Sequence, residues 1–295
     1  MLTYNHEKYI RKSIDSVLMQ KTDFTIEILV GDDCSTDSTA DIIREYAEKY
    51  PKILVPFLRE KNIGGPRNIY DLLNRAKGKY IQVLEGDDYW TDENKLKKQV
   101  QFLENHSDIM AVAHRVAVVN NREEFMWKTI PEKKIAANRF FSKEEVFKYQ
   151  TRLCHTSSCM YRNYYLGANK DYKEREESFL RPGDVGKLLY LATKSPIYVM
   201  EDTMGVWRKV ERNCGDNYTS QITKDFLCRL KINLELYTNL QKTLGDFYDF
   251  SEIINDFEKK ILEELIFYNN NWEELNLFCK RIGLRKCLRH LKNIM

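Results

Sequence analysis

The sequence has no apolar run near the ~20 residues that span a bilayer, and its mean hydropathy is −0.56, which excludes an integral membrane protein built of helices. Glycine and proline are scarce, 12 and 6 of 295 residues, so collagen-like and low-complexity chains are excluded as well. Neither sign of charge dominates: 47 Lys and Arg stand against 44 Asp and Glu, a net +3, and duplex nucleic acid is not expected as a partner. The seven cysteines (34, 154, 159, 214, 228, 279 and 287) form no C-x-x-C pair, so free thiols in a reducing cytosol are expected rather than a disulfide framework or a zinc knuckle. There is no internal repeat, no persistent heptad and no basic-then-apolar leader with a small-residue cleavage site, and a cytoplasmic globular protein is expected. The length suits one large α/β domain, or a domain of roughly 200 residues with an appendage.

What is present is an alternation of strand-like and helix-like segments. Residues 6–20 place Ile10, Ile14, Val17 and Leu18 on one face at helical spacing. IEILVG at 26–31 is a short apolar run of the kind a strand buried on both faces shows. It runs into DDCSTDST, where Ser35, Asp37 and Ser38 can cap a helix over about 38–50. KILVPFL (52–58) predicts a strand, residues up to about 77 a helix, and KGKYIQVLEG (77–86) another strand. DDYWTDENKLKKQVQFLEN then predicts a helix with acidic residues in its first turn. This order implies a parallel, doubly wound sheet covered by helices, with ligands beyond the carboxyl ends of the strands. Asp32–Asp33 and Asp87–Asp88 both fall at such ends, which suits one shared site.

Farther along, strands are expected at 109–119 and 197–200 and helices at 143–149 and 184–193. From 213 the pattern is helical, carried by Phe226, Leu230, Leu234, Leu236 and Leu240, then by Ile253, Phe257, Ile261, Leu262 and Leu265. The expected division is a catalytic-type domain over 1–212, with halves 1–105 and 106–212, and a helical appendage over 213–295.

Five segments taken together, TYNHEKYIRKSIDSVLMQ (3–20), EILVGDDCSTDST (27–39), NIGGPRN (62–68), AKGKYIQVLEGDDYW (76–90) and PGD (182–184), resemble the family 2 glycosyltransferases of the GT-A fold. The resemblance covers about residues 1–212. It implies a Rossmann-like α/β fold with a mixed, mostly parallel sheet flanked by helices. It also implies transfer of a sugar from a nucleotide diphosphate donor, with inversion and with Mg²⁺ or Mn²⁺. A nucleotide diphosphate carries negative charge that a hard cation held by carboxylates offsets. On that resemblance Asp88 binds the metal, and Asp87 reaches the ribose or the metal's water shell, with Glu85 in the first acidic position. Asp33 accepts from the base N–H, and Tyr4 packs on the base. Arg67 contacts phosphate or forms a structural salt bridge. His155 and Arg208 touch the diphosphate, with Trp207–Arg208 in a mobile flap. Asp184 is the base that takes the acceptor hydroxyl's proton.

Each assignment has a plainer rival. Asp87–Asp88 and Asp184 could cap the helices that follow them, and residues 32–38 could be an N-cap cluster. Cys34 stands where the family has glycine, so it must avoid positive φ or accept strain. Only Met1 and Leu2 precede TYN, where the family has its first, central strand, so that strand is either shortened or continues upstream. After Glu274 there is no acidic residue, while Lys280, Arg281, Arg285, Lys286, Arg289 and Lys292 interleave with Ile282, Leu288, Leu291 and Ile294. Such a helix over 280–294 can lie on an anionic membrane or simply face solvent. The function expected is transfer from a UDP-sugar to a hydroxyl of a glycan or lipid-linked saccharide. Alternatives are a catalytically silent nucleotide-sugar-binding protein and a sugar-phosphate nucleotidyltransferase, whose Gly-rich phosphate loop TYNHEKYI lacks.

Overall fold

A computed structural model of the chain describes residues 1–166, 183–209, 225–268 and 272–294; Pro182 of the PGD segment and Cys214 lie outside them. Helix α1 (Ile10–Leu18) buries Ile10, Ile14 and Val17 along one side, the stripe its spacing predicts. Strand β2 (Ile28–Asp32) runs parallel to β1 (Leu2–Thr3) on one side and to β3 (Leu54–Leu58) on the other. Helices α2 (Thr39–Lys49) and α3 (Gly65–Arg75) follow β2 and β3. Of the three capping candidates before α2, Asp37 meets the helix start, its Oδ1 accepting from Thr39 N at 2.9 Å, whereas the Ser38 side chain makes no cap bond.

The three-stranded parallel sheet ends there. A second sheet is ordered β4 (Tyr80–Gln82), β9 (Met160–Arg162), β6 (Ala111–Val119), β10 (Ile197–Arg208), β5 (Tyr89–Trp90), with β7 (Phe125–Ile130) on β6 and β8 (Arg139–Phe141) on β10. Among its described pairings only β6 and β10 are parallel. The sheet is mixed, as the resemblance implies, but it is not mostly parallel, and the parallel, doubly wound order expected from the first half ends at β3. Beyond residue 106 the short link between β6 and β7 makes a hairpin, which only antiparallel strands permit.

A second correction concerns residues 87–94. They are not the first turn of a helix: Tyr89 and Trp90 are extended, paired with Val206 and Gly205, and α4 (Lys95–Asn105) begins after Asn94 with no acidic residue in its first turn. The extended backbone lets Trp90 drop into the core, where its indole donates to Ser157 O at 3.1 Å. That core also takes Ile10, Ile14, Val30, Ile43, Leu103 and Met160, each side chain stabilising the fold by about 1.5–3 kcal/mol when fully buried. Helices α5 (Lys143–Tyr149) and α6 (Gly183–Lys194) fall where their patterns predict them, α5 opened by a capping box between Ser142 and Glu145.

β1 is the join between the two sheets. Beyond its ladder with β2, Leu2 N donates to Leu84 O (3.1 Å) and Gly86 N to Leu2 O (2.7 Å). Alongside it a cavity of about 860 Å³ opens between Ile26–Leu29 and Tyr80–Val83, lined also by Val17, Phe24, Leu72 and Val100.

The chain forms two compact units, Met1–Glu211 and Arg212–Met295. In the second, α7 (Phe226–Leu244), α8 (Ser251–Phe267), α9 (Trp272–Ile282) and α10 (Leu284–Ile294) enclose Leu230, Leu234, Ile261, Leu262, Leu265 and Phe278. Phe226, expected on the buried face, is exposed, and its neighbour Leu227 is buried instead. Glu258 of α8 is buried between Lys286 (2.7 Å) and His290 (3.0 Å) of α10. Elsewhere on α10, Leu284, Arg285, Leu288 and Arg289 are exposed, as is Lys292.

Candidate active site

The loop after β1 is fastened to the loop after β2 from both directions. Asn5 N donates to Ser35 Oγ (2.9 Å), His6 N to Thr39 Oγ1 (2.8 Å) and Glu7 N to Asp37 Oδ2 (3.1 Å). In return Thr36 N donates to Asn5 Oδ1 (2.8 Å) and Ser38 N to Glu7 Oε2 (3.1 Å). Tyr4 is half-buried at the head of this loop. Asp32 orients the second loop by accepting from Ser35 N at 3.0 Å. Cys34 accepts the strained alternative, with φ of 65°. Relief of about 1–2 kcal/mol of left-handed strain, offset in part by glycine's greater freedom when unfolded, predicts that Cys34→Gly stabilises the protein by about 0.5–1 kcal/mol, to be read from the urea midpoint.

Asp33 is buried, and its two oxygens accept from Ile63 N (2.7 Å) and Gly64 N (2.9 Å), holding the loop before α3. Gly64, at φ of 86°, supplies the left-handed turn there. Asn68 is buried and donates to Gly31 O at 2.8 Å. The arginine that holds this region is Arg59, which donates to Asn68 Oδ1 (3.2 Å) and Asp71 Oδ2 (2.6 Å), while Arg67 lies on the first turn of α3.

On the other side of β1, Glu85, Asp87 and Asp88 follow β4. A Cβ on Gly86 would lie 2.8 Å from His6 Nδ1 and 2.9 Å from Thr3 Oγ1, so the chain passes under the first loop only with glycine there. Asp88 is 1% exposed. Its Oδ1 accepts from Arg208 N at 2.8 Å, and its Oδ2 is buried without a hydrogen-bond partner, 3.6 Å from His155 Nδ1. Glu85, Asp88 and His155 each offer a ligand atom within 4.8 Å of the others. Burial, and then the charges of Asp87 and Asp184, push Glu85 up to about 8. Burial, Asp87 and Glu85 hold the Asp88 carboxyl well above the usual range. Burial also pushes His155 down to about 4, against the opposing pull of Asp184 and Asp87. Crowded carboxylates with an orphaned oxygen and a neutral imidazole match the donor set of a divalent cation such as Mn²⁺.

Trp207 and Arg208 lie in β10 rather than in the flap expected from the sequence. Trp207 stacks on His155, with ring centroids 5.1 Å apart. Arg208 is 2% exposed; its Nε donates to Asp87 O (3.0 Å) and its Nη2 to Glu123 Oε1 (2.8 Å), and its guanidinium lies 4.4 Å from the Tyr9 ring centre. Glu123 in turn accepts from Lys12 Nζ at 2.6 Å. Asp184 is exposed in the first turn of α6, where the helix dipole favours its charge. The helix begins before it, so Asp184 does not precede the helix as a cap. It shares a small pocket with Cys154, His155, Cys159 and Lys187. Asp87–Asp88 does not cap α4 either, whose N-cap is Asn94.

Sequence reading misses Arg59, Glu123 and the role of Trp207 as a platform for His155. Arg59 precedes its motif by several residues, and Glu123 sits in a turn, NNREEF, that carries no recognisable pattern.

A sequence profile described as glycosyl transferase family 2 matches residues 1–168, more than half of the chain. The chain belongs to glycosyltransferase family 2. Among family relatives, an uncharacterised protein of Mycobacterium tuberculosis is 46% identical over 118 residues, 40% of this chain and 34% of that protein. The poly(ribitol-phosphate) beta-N-acetylglucosaminyltransferase TarS of Staphylococcus aureus is 31% identical over 283 residues, 83% of this chain and 48% of TarS. The chain thus spans about a third to a half of these relatives. The crystal structure of S. aureus TarS 1–349 in complex with UDP-GlcNAc superposes with a TM-score of 0.57 at 21% identity, covering 92% of this chain and 72% of that one. This likeness identifies the GT-A fold.

Proposed function

We propose that the chain transfers a sugar from a nucleotide diphosphate donor, of the UDP type, to a hydroxyl of a glycan or lipid-linked saccharide, with inversion. The observation that carries the reading is the convergence of Glu85, Asp87, Asp88, His155 and Asp184 beyond the ends of β4 and β1. Asp88, with Glu85 and His155, holds Mg²⁺ or Mn²⁺, which when bound offsets the charge of the donor diphosphate. Tyr4 packs against the base. Asp33 still has lone pairs for the base N–H beyond the two backbone amides it already serves. Asp87 reaches the ribose, and Arg67 lies on the phosphate side. Arg208, packed against Tyr9, positions the two aspartates through its backbone and side chain and lies toward the diphosphate. Asp184 takes the proton of the acceptor hydroxyl as its oxygen bonds to the anomeric carbon and the bond to the diphosphate breaks, releasing the nucleoside diphosphate.

A UDP donor is supported by the TarS complex with UDP-GlcNAc, and transfer to a hydroxyl of a polymer by the TarS name, which states a poly(ribitol-phosphate) acceptor. Among the described residues no helix is long and apolar enough to cross a membrane. The exposed Leu284 and Leu288 beside Arg285, Arg289 and Lys292 support peripheral contact of 280–294 with an anionic surface. Thermal melts with UDP, GDP and dTDP, each with and without Mn²⁺, test the core of the proposal. At 100 times its Kd a ligand stabilises by about 2.7 kcal/mol, so a Tm rise with UDP that requires Mn²⁺ is expected. A folded protein that responds to none of the three is silent toward donors.

A further inference from the structure

Strand β7 begins with Phe125, Met126, Trp127 and Lys128, all exposed. Its ladder with β6 pairs Val116 with Ile130 and Ala117 with Thr129, then resumes with Val119 opposite Phe125. Met126, Trp127 and Lys128 therefore bulge out opposite the single residue Val118. At the crest, Trp127 has φ of 54° and is 90% exposed. Left-handed backbone in a bulky aromatic residue is a genuine outlier. The strained position leaves the indole in water, where it adds nothing to the core. Strain of this type gathers at ligand clamps, and bulges re-aim side chains beside active sites.

The surroundings say what the indole faces. Phe125 meets Trp127 edge to face, with centroids 5.4 Å apart, so the two rings form one aromatic corner. Phe125, Val119 and Arg208 stand abreast on β7, β6 and β10, which places Phe125 about 10 Å, two strand spacings, from the Arg208 backbone. Arg208 N bonds Asp88, and the turn that launches β7 contributes Glu123 to the same arginine. The aromatic corner thus stands on the rim of the acidic cluster, with Arg122, Glu124 and Lys128 exposed around it. A flat apolar ring framed by hydrogen-bonding side chains complements a pyranose, which presents a face of C–H groups and an edge of hydroxyls.

We infer that Phe125 and Trp127 form an acceptor subsite that stacks a pyranose ring of the saccharide receiving the sugar. This rests on the transferase reading above, with the acceptor approaching from the β7 side of the acidic cluster. It predicts saturable binding of an oligosaccharide in the absence of donor, with the Trp127 indole shielded.

The test is a titration of the full chain with cellohexaose, chitohexaose and maltohexaose, followed by intrinsic tryptophan emission and acrylamide quenching. At least one of the three should change the emission saturably and protect it from acrylamide. Trp127→Ala should weaken that binding about tenfold, and Trp127→Phe should retain it within about threefold, because a phenyl ring still stacks. The Tm rise with UDP and Mn²⁺ should be the same in all three proteins. In turnover with the hexasaccharide that binds, Trp127→Ala should raise the KM for that sugar, and Trp127→Phe should restore it to within about threefold. The inference is overturned if none of the three sugars binds, or if Trp127→Ala binds as wild type. It is also overturned if sedimentation shows a self-associated protein that Trp127→Ala converts to monomer, which would make the corner a contact between copies. Oligosaccharide binding that persists without any UDP response would instead sink the transferase reading and leave the subsite standing.

Discussion

Asp184→Asn is expected to lower sugar transfer by about 10²–10⁴-fold, the usual contribution of a general base, while sparing the Tm rise with UDP and Mn²⁺. The amide has the shape of the carboxylate but cannot accept the acceptor's proton. Its position limits collateral damage. Asp184 is exposed in the first turn of α6, so the structural loss is confined to its favourable interaction with the helix dipole, about 0.3–1 kcal/mol. Because its charge raises Glu85, the substitution also eases ionisation of that carboxyl. Transfer assays with a panel of acceptors, run beside the melts, decide the matter. Transfer within about tenfold of wild type would place the base elsewhere.

The second large effect has opposite signs in two assays. Asp88→Asn should abolish the Mn²⁺ dependence of donor binding and yet stabilise the metal-free protein. The carboxamide keeps an Oδ1 acceptor for Arg208 N but removes the cost of burying an ionisable carboxyl beside Glu85 and Asp87. A gain of about 1 kcal/mol corresponds to roughly 2–4 °C in Tm for a domain of this size. The pH dependence gives an independent reading. Glu85 holds its proton up to about 8 when folded, against an ordinary value of 4.5. Its contribution is therefore fully present below the ordinary value and is lost as pH rises through the folded one. The metal-free wild type should lose stability across that window, and Asp88→Asn should decline less steeply, since one of the crowded charges is gone. Melts at intervals from about pH 5 to about 8.5, with and without Mn²⁺, check both. An Asp88→Asn protein that still responds to Mn²⁺ would remove Asp88 from the ligand set.

The elements readable from sequence are those whose burial is continuous or strictly periodic. Ile28–Asp32, Leu54–Leu58 and the stripe of α1 declare themselves because both faces, or one helical face, must be apolar. Tyr89–Trp90 does not: two residues are too few for a period, and their extended state depends on pairing with Gly205 and Val206, more than a hundred positions away. β10 is visible only at its first residues, because Glu201 and Asp202 interrupt the apolar run where its register with β6 shifts. The acidic pair is legible from its motif, yet the partners that hold it are not. Arg208 and Glu123 are 85 positions apart, and nothing local to either one encodes the contact.

Strand β1 gives the site the character of a seam sewn from both sides. Asp33 belongs to the parallel leaf, and Asp87 and Asp88 follow β4 of the mixed leaf, with the two leaves laced together at Leu2 and Gly86. Packing backs the stitching: Ile28, Val30 and Leu54 of one leaf share a single core with Trp90, Val112 and Met160 of the other, and Lys21 N donates to Glu93 O at 2.7 Å. A molecule touching both leaves at once therefore meets a frame that is already set, and little of its grip goes into holding the halves together.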